Sequence, residues 1–293
     1  MSSVKFMGLT WPDQASQMLQ ASVQDVQDFR TFLLSHNAAP KTLNRRVSSL
    51  SSFYKYLAAA AAELRLPITV SNLAHAQFIS RESIDPRQET RALSAARARQ
   101  LVGLPAGNAV LDYRDRAILK FFLYSGASLS TACRLKVPDF HRDGDEATIR
   151  LHEKGDKRRT IGLHFQAAQA IAEYIERAAL TSGPLFRPRL NSRSQKLGSS
   201  TMSPWTLWRV VEGYLVQLPG AVKEAQLPDG STTRQSVYTP HSLRATTATL
   251  LLDAGVDIIK VKELLGHRHV TTTQIYDKRR RSTSESASHL LAI

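Results

Sequence analysis

The sequence predicts a protein that is mainly α with a small β-sheet, arranged as two domains. The chain has 293 residues, more than one hydrophobic core usually holds. Apolar residues recur at spacings of three and four through most of it, as they do in amphipathic helices. Alternating apolar and polar residues, typical of half-buried strands, occur at 147–152 and 159–163 around a glycine-containing turn.

The charge balance indicates a polyanionic partner. The chain carries 39 Lys and Arg against 25 Asp and Glu, a net charge of +14 with a pI near 10.1. Nucleic acid is the default partner for such an excess. A basic chain can also simply be soluble, so charge alone does not decide.

Cysteine usage and hydropathy indicate a cytoplasmic protein. Cys133 is the one cysteine, which excludes an internal disulfide and suits a reducing compartment. It falls in an apolar helical pattern and is expected in the core. No run of about 18 apolar residues is present, so no membrane span is expected, and the N-terminus lacks a signal-peptide pattern.

Residues 1–85 form the first predicted domain, which is all-helical. Ser22 is expected to cap one helix, and a second follows the break at 37–40. One face of the second helix is basic and hydroxyl-rich, which suits contacts with DNA phosphates or a groove. A merely solvated face is the alternative. The candidate DNA-binding residues on it are Lys41, Thr42, Asn44 and Arg45.

A polar linker at 86–92 should lead to a second domain at 93–293, beginning with a helix capped by Ser94. Further helices are expected over Asp112–Tyr124, Leu129–Leu135 and Phe165–Arg177, and from Ser203 to about Gln217. Residues 187–203 are basic and serine-rich, which suits backbone binding. Residues 219–237 are expected to form an irregular loop with a short helix at 221–225.

The stretch from His241 to Tyr276 combines groups suited to phosphate chemistry. His241 and Arg244 are three residues apart and share a face of a helix that starts near Pro240. Gly266 should end the next helix and present His267, and a third short helix is expected to carry Tyr276. A tyrosine, with a pKa of about 10, can attack a phosphodiester when cations neutralise the phosphate and a base assists.

This stretch resembles the tyrosine recombinase (phage integrase) family, whose motif is H-x-x-R, then L-G-H, then Tyr nine residues later. The resemblance implies a helical core-binding domain and an α+β catalytic domain that form a C-clamp around DNA. It implies that Tyr276 is the nucleophile and that Arg244, His241 and His267 bind the phosphate. Taken singly, each residue could be an ordinary surface or core residue.

The hairpin at 153–159 resembles the family pattern G-K-G-x-K-x-R. The resemblance implies that Lys154 is the general acid, and Lys157 and Arg159 are expected to touch the DNA backbone. No metal and no cofactor are expected. The implied partner is duplex DNA carrying a specific recombination site, bound by a dimer that becomes a tetramer in synapsis.

The first catalytic arginine of the family is missing. The pattern T/S-G-x-R-hydrophobic-S-E-L is replaced by S-G-A-S-L-S-T-A, which puts Ser128 at the arginine position. Arg134 lies about 600° further around the helix and should face elsewhere. We therefore expect impaired DNA cleavage. Either the enzyme is naturally weakened, or the arginine was replaced deliberately to stop the reaction. Replacement is favoured because the other expected catalytic positions are intact.

Two other functions remain open. A type IB topoisomerase shares this chemistry but relaxes any supercoiled DNA without a target sequence. A non-catalytic DNA-binding protein is the alternative from another class, and Ser128 favours it. The tail holds a basic run at 278–281 and a small apolar patch at 290–293, a segment that often docks on a neighbouring subunit in this family.

Overall fold

The computed structural model describes residues 3–8, 10, 13–83, 90–153, 155–226 and 231–277. The chain divides into two compact units, Met1–Asp85 and Pro86–Ile293. The expected linker falls largely outside the described residues, and the basic and apolar segments of the tail fall wholly outside them. Within the described ranges, no helix has the length and hydropathy needed to cross a membrane.

The first unit is helical, as predicted. Its elements are α1 (Ser3–Phe6), a 3-10 turn (Ala15–Leu19), α2 (Val23–Ser35) and α3 (Pro40–Glu63). Ser22 caps α2, because its Oγ accepts a hydrogen bond from the Asp25 amide at 3.2 Å while the Asp25 carboxylate accepts one from the Ser22 amide at 2.7 Å. The apolar faces of α2 and α3 form the core of this unit: Val26, Phe29, Leu33, Leu43, Val47 and Leu50.

The second unit contains eight α-helices among its described residues, and a short 3-10 helix at Val137–Asp139. The α-helices are α4 (Ala95–Gly103), α5 (Val110–Ser125), α6 (Leu129–Arg134), α7 (Phe165–Arg177), α8 (Pro204–Leu215), α9 (Pro240–Asp253), α10 (Ile258–Leu265) and α11 (Val270–Gln274). Ser94 caps α4, which confirms the predicted start. Helix α5 packs against α7 and α9, and its Ile118 and Phe121 are fully buried. The core of the unit therefore centres on α5.

A three-stranded antiparallel sheet lies beside these helices. It comprises β1 (Phe140–Asp143), β2 (Glu146–His152) and β3 (Arg158–Gly162), in the order β1-β2-β3. Ile149 pairs with Ile161, and Ile149 and Leu151 are fully buried, as the alternation predicts. Strand β1 was not predicted, because its residues are mostly exposed and polar and show no alternation.

The prediction of an irregular loop with a short helix after α8 is wrong. This region forms an antiparallel hairpin of β4 (Val222–Gln226) and β5 (Thr232–Ser236). A five-residue helix is marginal in water, whereas the threonines of β5 suit a strand. The Val237 amide extends the pairing by donating to the Ala221 carbonyl at 2.7 Å.

The last three helices start and stop as predicted, with one correction. Pro240 occupies the first turn of α9, Asp257 caps α10, and Gly266 ends α10 in the left-handed region at φ 71°. Helix α11, however, ends at Gln274. Tyr276 therefore lies in the turn that follows the helix rather than on it.

Candidate active site

The structure brings Arg244, His241, His267 and Tyr276 together from separate elements. His241 and Arg244 lie on the first turns of α9, His267 follows the end of α10, and Tyr276 follows α11. The Tyr276 hydroxyl is 3.4 Å from His241 Nε2. The rings of Tyr276 and His267 are nearly parallel, with centroids 6.2 Å apart. This cluster is the candidate active site.

Arg244 connects two of the surrounding turns. Its Nη1 donates to the Gly126 carbonyl at 2.6 Å and its Nη2 to the Leu265 carbonyl at 2.7 Å. Burial lowers the pKa of this guanidinium, and the neighbouring Tyr276 works in the opposite direction. An arginine pKa is so high that the group stays charged at neutral pH. Arg244 therefore supplies a permanent, positioned cation.

The close approach of α5 to α10 depends on Gly126. This residue ends α5 in the left-handed region at φ 59°. A Cβ there would lie 2.4 Å from Leu265 Cδ2. Glycine is thus needed both for the backbone conformation and for the packing of Leu265, and it places its own carbonyl on Arg244.

Tyr276 is half-buried, and its surroundings change the pKa of its phenol. Burial raises the pKa of the phenol, and the charge of Arg244 together with a hydrogen bond from it partly opposes that rise. The phenol is therefore protonated at neutral pH, and any reaction in which its oxygen forms a bond requires this proton to leave. His241 Nε2, 3.4 Å from the phenol oxygen, is the neighbouring group that can accept it.

His267 is held by a residue that the sequence analysis did not single out. Its Nδ1 is 2.9 Å from Oγ1 of Thr273, which is fully buried. Burial, and then the charges of Arg244, His241 and Arg159, lower the pKa of His267 to about 4. The ring is therefore neutral at neutral pH. When the Thr273 hydroxyl donates to Nδ1, the proton sits on Nε2, which can donate to a phosphate oxygen.

Ser128 has a structural role at the start of α6. Its exposed side chain caps the helix, because Oγ accepts from the Thr131 amide at 3.2 Å and lies 2.8 Å from Thr131 Oγ1. Arg134 is exposed on the far turn and donates to the His152 carbonyl at 3.3 Å. That Arg134 does not take the place of the missing arginine stays a prediction.

Three further positions depart from the family patterns. Thr131 and Ala132 stand where the pattern around Ser128 has a glutamate and a leucine, and Glu153 stands where the hairpin pattern has its first glycine. None of these three is among the expected catalytic positions, and deliberate replacement of the arginine stays a prediction.

The predicted hairpin residues differ in their surroundings. Lys154 lies outside the described residues, and Lys157 is exposed. Arg159 is half-buried: its Nε donates to Glu153 at 3.0 Å, and its Nη1 donates to the carbonyls of Glu263 at 3.1 Å and Leu264 at 2.8 Å. These donors are directed at protein atoms, and a DNA-backbone contact from Arg159 stays a prediction.

The candidate DNA-binding face of α3 also divides into two groups. Lys41 and Arg45 are exposed and Thr42 is half-buried. Asn44 exchanges two hydrogen bonds with the backbone of Glu82, donating to its carbonyl at 2.8 Å and accepting from its amide at 2.9 Å. Asn44 therefore holds the segment that follows α3 on the helix, a role invisible in the helical pattern.

Comparisons with known protein families match both units. The model described as "Phage integrase family" matches residues 91–282, and the model for its N-terminal SAM-like domain matches residues 3–61. Among curated relatives, tyrosine recombinase XerC of Myxococcus xanthus is 28% identical over 249 residues, covering 83% of this chain and 73% of its own. Tyrosine recombinase XerD of Listeria innocua is 27% identical over 253 residues, covering 86% and 76%.

Solved structures share the fold at low identity. The XerH recombinase in its pre-cleavage complex with a difH substrate superposes with a TM-score of 0.64 at 19% identity, covering 92% of this chain and 70% of that one. The Tn1549 transposon integrase in complex with transposon right-end DNA gives 0.61 at 14%, covering 93% and 85%. The phage integrase model alone spans well over half of the sequence and takes in Arg244, His267 and Tyr276. This chain therefore belongs to the phage integrase family of tyrosine recombinases.

Proposed function

We propose that this recombinase cuts and rejoins duplex DNA at a specific site through a 3′-phosphotyrosyl intermediate. The Tyr276 oxygen attacks the phosphorus, the bond from phosphorus to O5′ breaks, and O5′ leaves as a hydroxyl after taking up a proton. The observation that carries the proposal is the Tyr276 hydroxyl beside His241, under the charge of Arg244. Rejoining is the same step in reverse, with the 5′ hydroxyl of another strand as nucleophile.

The surrounding residues take separate roles. Arg244 stabilises the negative charge that develops on the non-bridging oxygens. His267, neutral because its pKa is about 4, donates a hydrogen bond to one of them. His241 receives the phenol proton or shares it through a hydrogen bond. Lys154 donates the proton that O5′ takes up, a role supported by its place in the hairpin pattern.

The chain as it stands should bind its site but cleave it slowly. The missing arginine would have supplied two aligned, charged donors, whereas a serine hydroxyl is one neutral donor. Ser128 is also engaged with Thr131 as a helix cap. DNA binding should suffer much less, since many other phosphate contacts remain.

The proposed partner is duplex DNA, which both domains contact. The protein binds one site as a dimer and forms a tetramer in synapsis. Support comes from the net charge of +14, from exposed Lys41 and Arg45, and from similar folds solved on DNA. Those include XerH on its difH substrate and a lambda integrase dimer on a COC′ core site.

The test begins by selecting the bound sequence from a randomised duplex library. That duplex is then nicked beside the cleavage position. After cleavage the short fragment with the 5′ hydroxyl dissociates, so rejoining is prevented and the covalent adduct accumulates. An adduct should form, most strongly with Ser128→Arg, and Tyr276→Phe should abolish it while leaving affinity unchanged. An adduct that persists in Tyr276→Phe and maps to another residue would refute the assignment.

A non-catalytic DNA-binding role is the second candidate, and the observation that favours it is Ser128. In that case the selected duplex would be bound tightly but no adduct would form in either the serine or the arginine form. Relaxation of any supercoiled plasmid, without sequence preference, would instead indicate topoisomerase-like activity.

A further inference from the structure

We propose that Arg159, paired with Glu153, is a positioning residue that holds the β2–β3 hairpin on the end of α10. In this way it sets where the hairpin delivers the proton to the leaving O5′. This inference rests on the transesterification proposed above.

The contacts of Arg159 join two elements that are far apart in sequence. Its Nε donates to Glu153 Oε1 at 3.0 Å, within the hairpin. Its Nη1 donates to the carbonyls of Glu263 and Leu264, in the last turn of α10. The final carbonyls of a helix have no partner within the helix and carry partial negative charge, so a guanidinium there is well matched. The residues joined are 104 and 105 positions apart.

The Glu153–Arg159 pair is largely shielded from water, so its charged groups depend on hydrogen bonds within the protein. The side chains of Arg159 and Glu153 are only 19% and 21% exposed. Nη2 of Arg159 is buried and has no hydrogen-bond partner among the described residues. A buried donor without a partner is costly, so the remaining bonds must hold the guanidinium in place.

The pair lies directly over the backbone of Gly266, the residue before His267. A Cβ at Gly266 would be 2.8 Å from Glu153 Oε1 and 2.9 Å from Arg159 Nε. Arg159 is also among the charges that lower the pKa of His267 and of Arg244. The Glu153–Arg159 pair therefore borders the candidate active site.

The Glu153–Arg159 pair is adjacent in sequence to Lys154, the proposed proton donor. Glu153 is followed in sequence by Lys154, and β3 begins at Arg158. Anchoring Glu153 and Arg159 to α10 restricts where the intervening residues can reach. An ordinary stabilising ion pair would have the same contacts, so the test must separate proton delivery from folding.

The test uses two versions of the selected nicked duplex, with oxygen or sulfur bridging phosphorus to the 5′ carbon. A thiol has a pKa of about 8.5, so the sulfur leaves as a thiolate without a proton donor. Arg159→Gln and Glu153→Gln are compared with Arg158→Gln, which removes the same charge one residue away at a loose, exposed pair with Asp156. All are made in the Ser128 or Ser128→Arg form, whichever cleaves faster.

We expect Arg159→Gln and Glu153→Gln to slow cleavage of the oxygen substrate by about 10²-fold, the low end for loss of a proton donor. The sulfur substrate should restore most of the rate, and the double variant should be no slower than either single one. The DNA affinity of Arg159→Gln should match that of Arg158→Gln, which removes the same charge. Unchanged cleavage, or a loss that persists on sulfur, would overturn the proposal.

Absence of any adduct from the parent protein would count against the proposed function. Hydrogen exchange would then test whether the Glu153–Arg159 pair holds the hairpin on α10. Arg159→Gln should speed exchange of amides in 150–160 and 263–267 while leaving the melting temperature within a few degrees. Unchanged exchange in those two segments, or a uniform rise across the whole unit, would refute the positioning role.

Discussion

Replacing Ser128 with arginine should raise cleavage and lower stability at the same time, for two separable reasons. The serine side chain is exposed, so an arginine has room there. A catalytic arginine in phosphoryl transfer contributes about 10³–10⁵ in rate, and even one preorganised donor contributes about 10²–10³. Cleavage should therefore rise by at least 10²-fold.

The stability cost follows from the cap that Ser128 provides. Its Oγ accepts the Thr131 amide at 3.2 Å, and loss of such a cap costs about 0.5–2 kcal/mol. In a domain of this size, 1 kcal/mol shifts the melting temperature by about 2–4 °C. Ser128→Arg should melt a few degrees below the parent protein.

The matched controls separate the two effects. Ser128→Ala removes the cap without adding a cation, so it should melt like Ser128→Arg and cleave no faster than the parent. Ser128→Lys adds a cation without the planar fork and should fall between them in rate. Adduct formation on the selected nicked duplex gives the rates, and thermal denaturation gives the stability. Equal cleavage by the serine and arginine forms would mean that position 128 is not the catalytic arginine position.

Three further predictions follow from the geometry. Gly266→Ala should lower the melting temperature and the rate of adduct formation more than Gly255→Ala does. Both glycines have positive φ, but only at Gly266 would the added Cβ meet Glu153 and Arg159. Equal losses would contradict this. The free energy of unfolding should fall as pH drops from about 6.5 towards 4, because the unfolded chain protonates His267 before the folded one does; denaturant titrations should show His267→Gln flattening this dependence. Binding should weaken with roughly one power of salt per neutralised phosphate, and Arg45→Ala, but not Asn44→Ala, should reduce that slope by about one.

Local patterns were enough for most of the helices and for the two central strands. Ser22, Ser94 and Asp257 each cap the helix that their sequence context indicates. The β4–β5 hairpin was missed because its strands are short and polar, and their stability comes from pairing with each other. Strand β1 was missed for the same reason, since only its partner β2 carries the alternating pattern.

The candidate site was predictable in its residue types but not in its connections. The resemblance to the family motif, together with its spacing, marked His241, Arg244 and Tyr276. That Arg244 bonds the Gly126 carbonyl depends on tertiary packing, and so does the contact of His267 with Thr273. The hydrogen bonds of Asn44 with the backbone of Glu82 were likewise not predictable from the helical pattern, and a DNA contact from Asn44 stays a prediction.

The arginine contacts at the end of α10 also bear on when this protein can become active. Three successive carbonyls, those of Glu263, Leu264 and Leu265, receive hydrogen bonds from Arg159 and Arg244. Arg244 also reaches Gly126, 118 positions away. Contacts of such long range form only after much chain entropy has been lost. A partly unfolded chain thus carries Tyr276 without the surroundings that the proposed reaction requires.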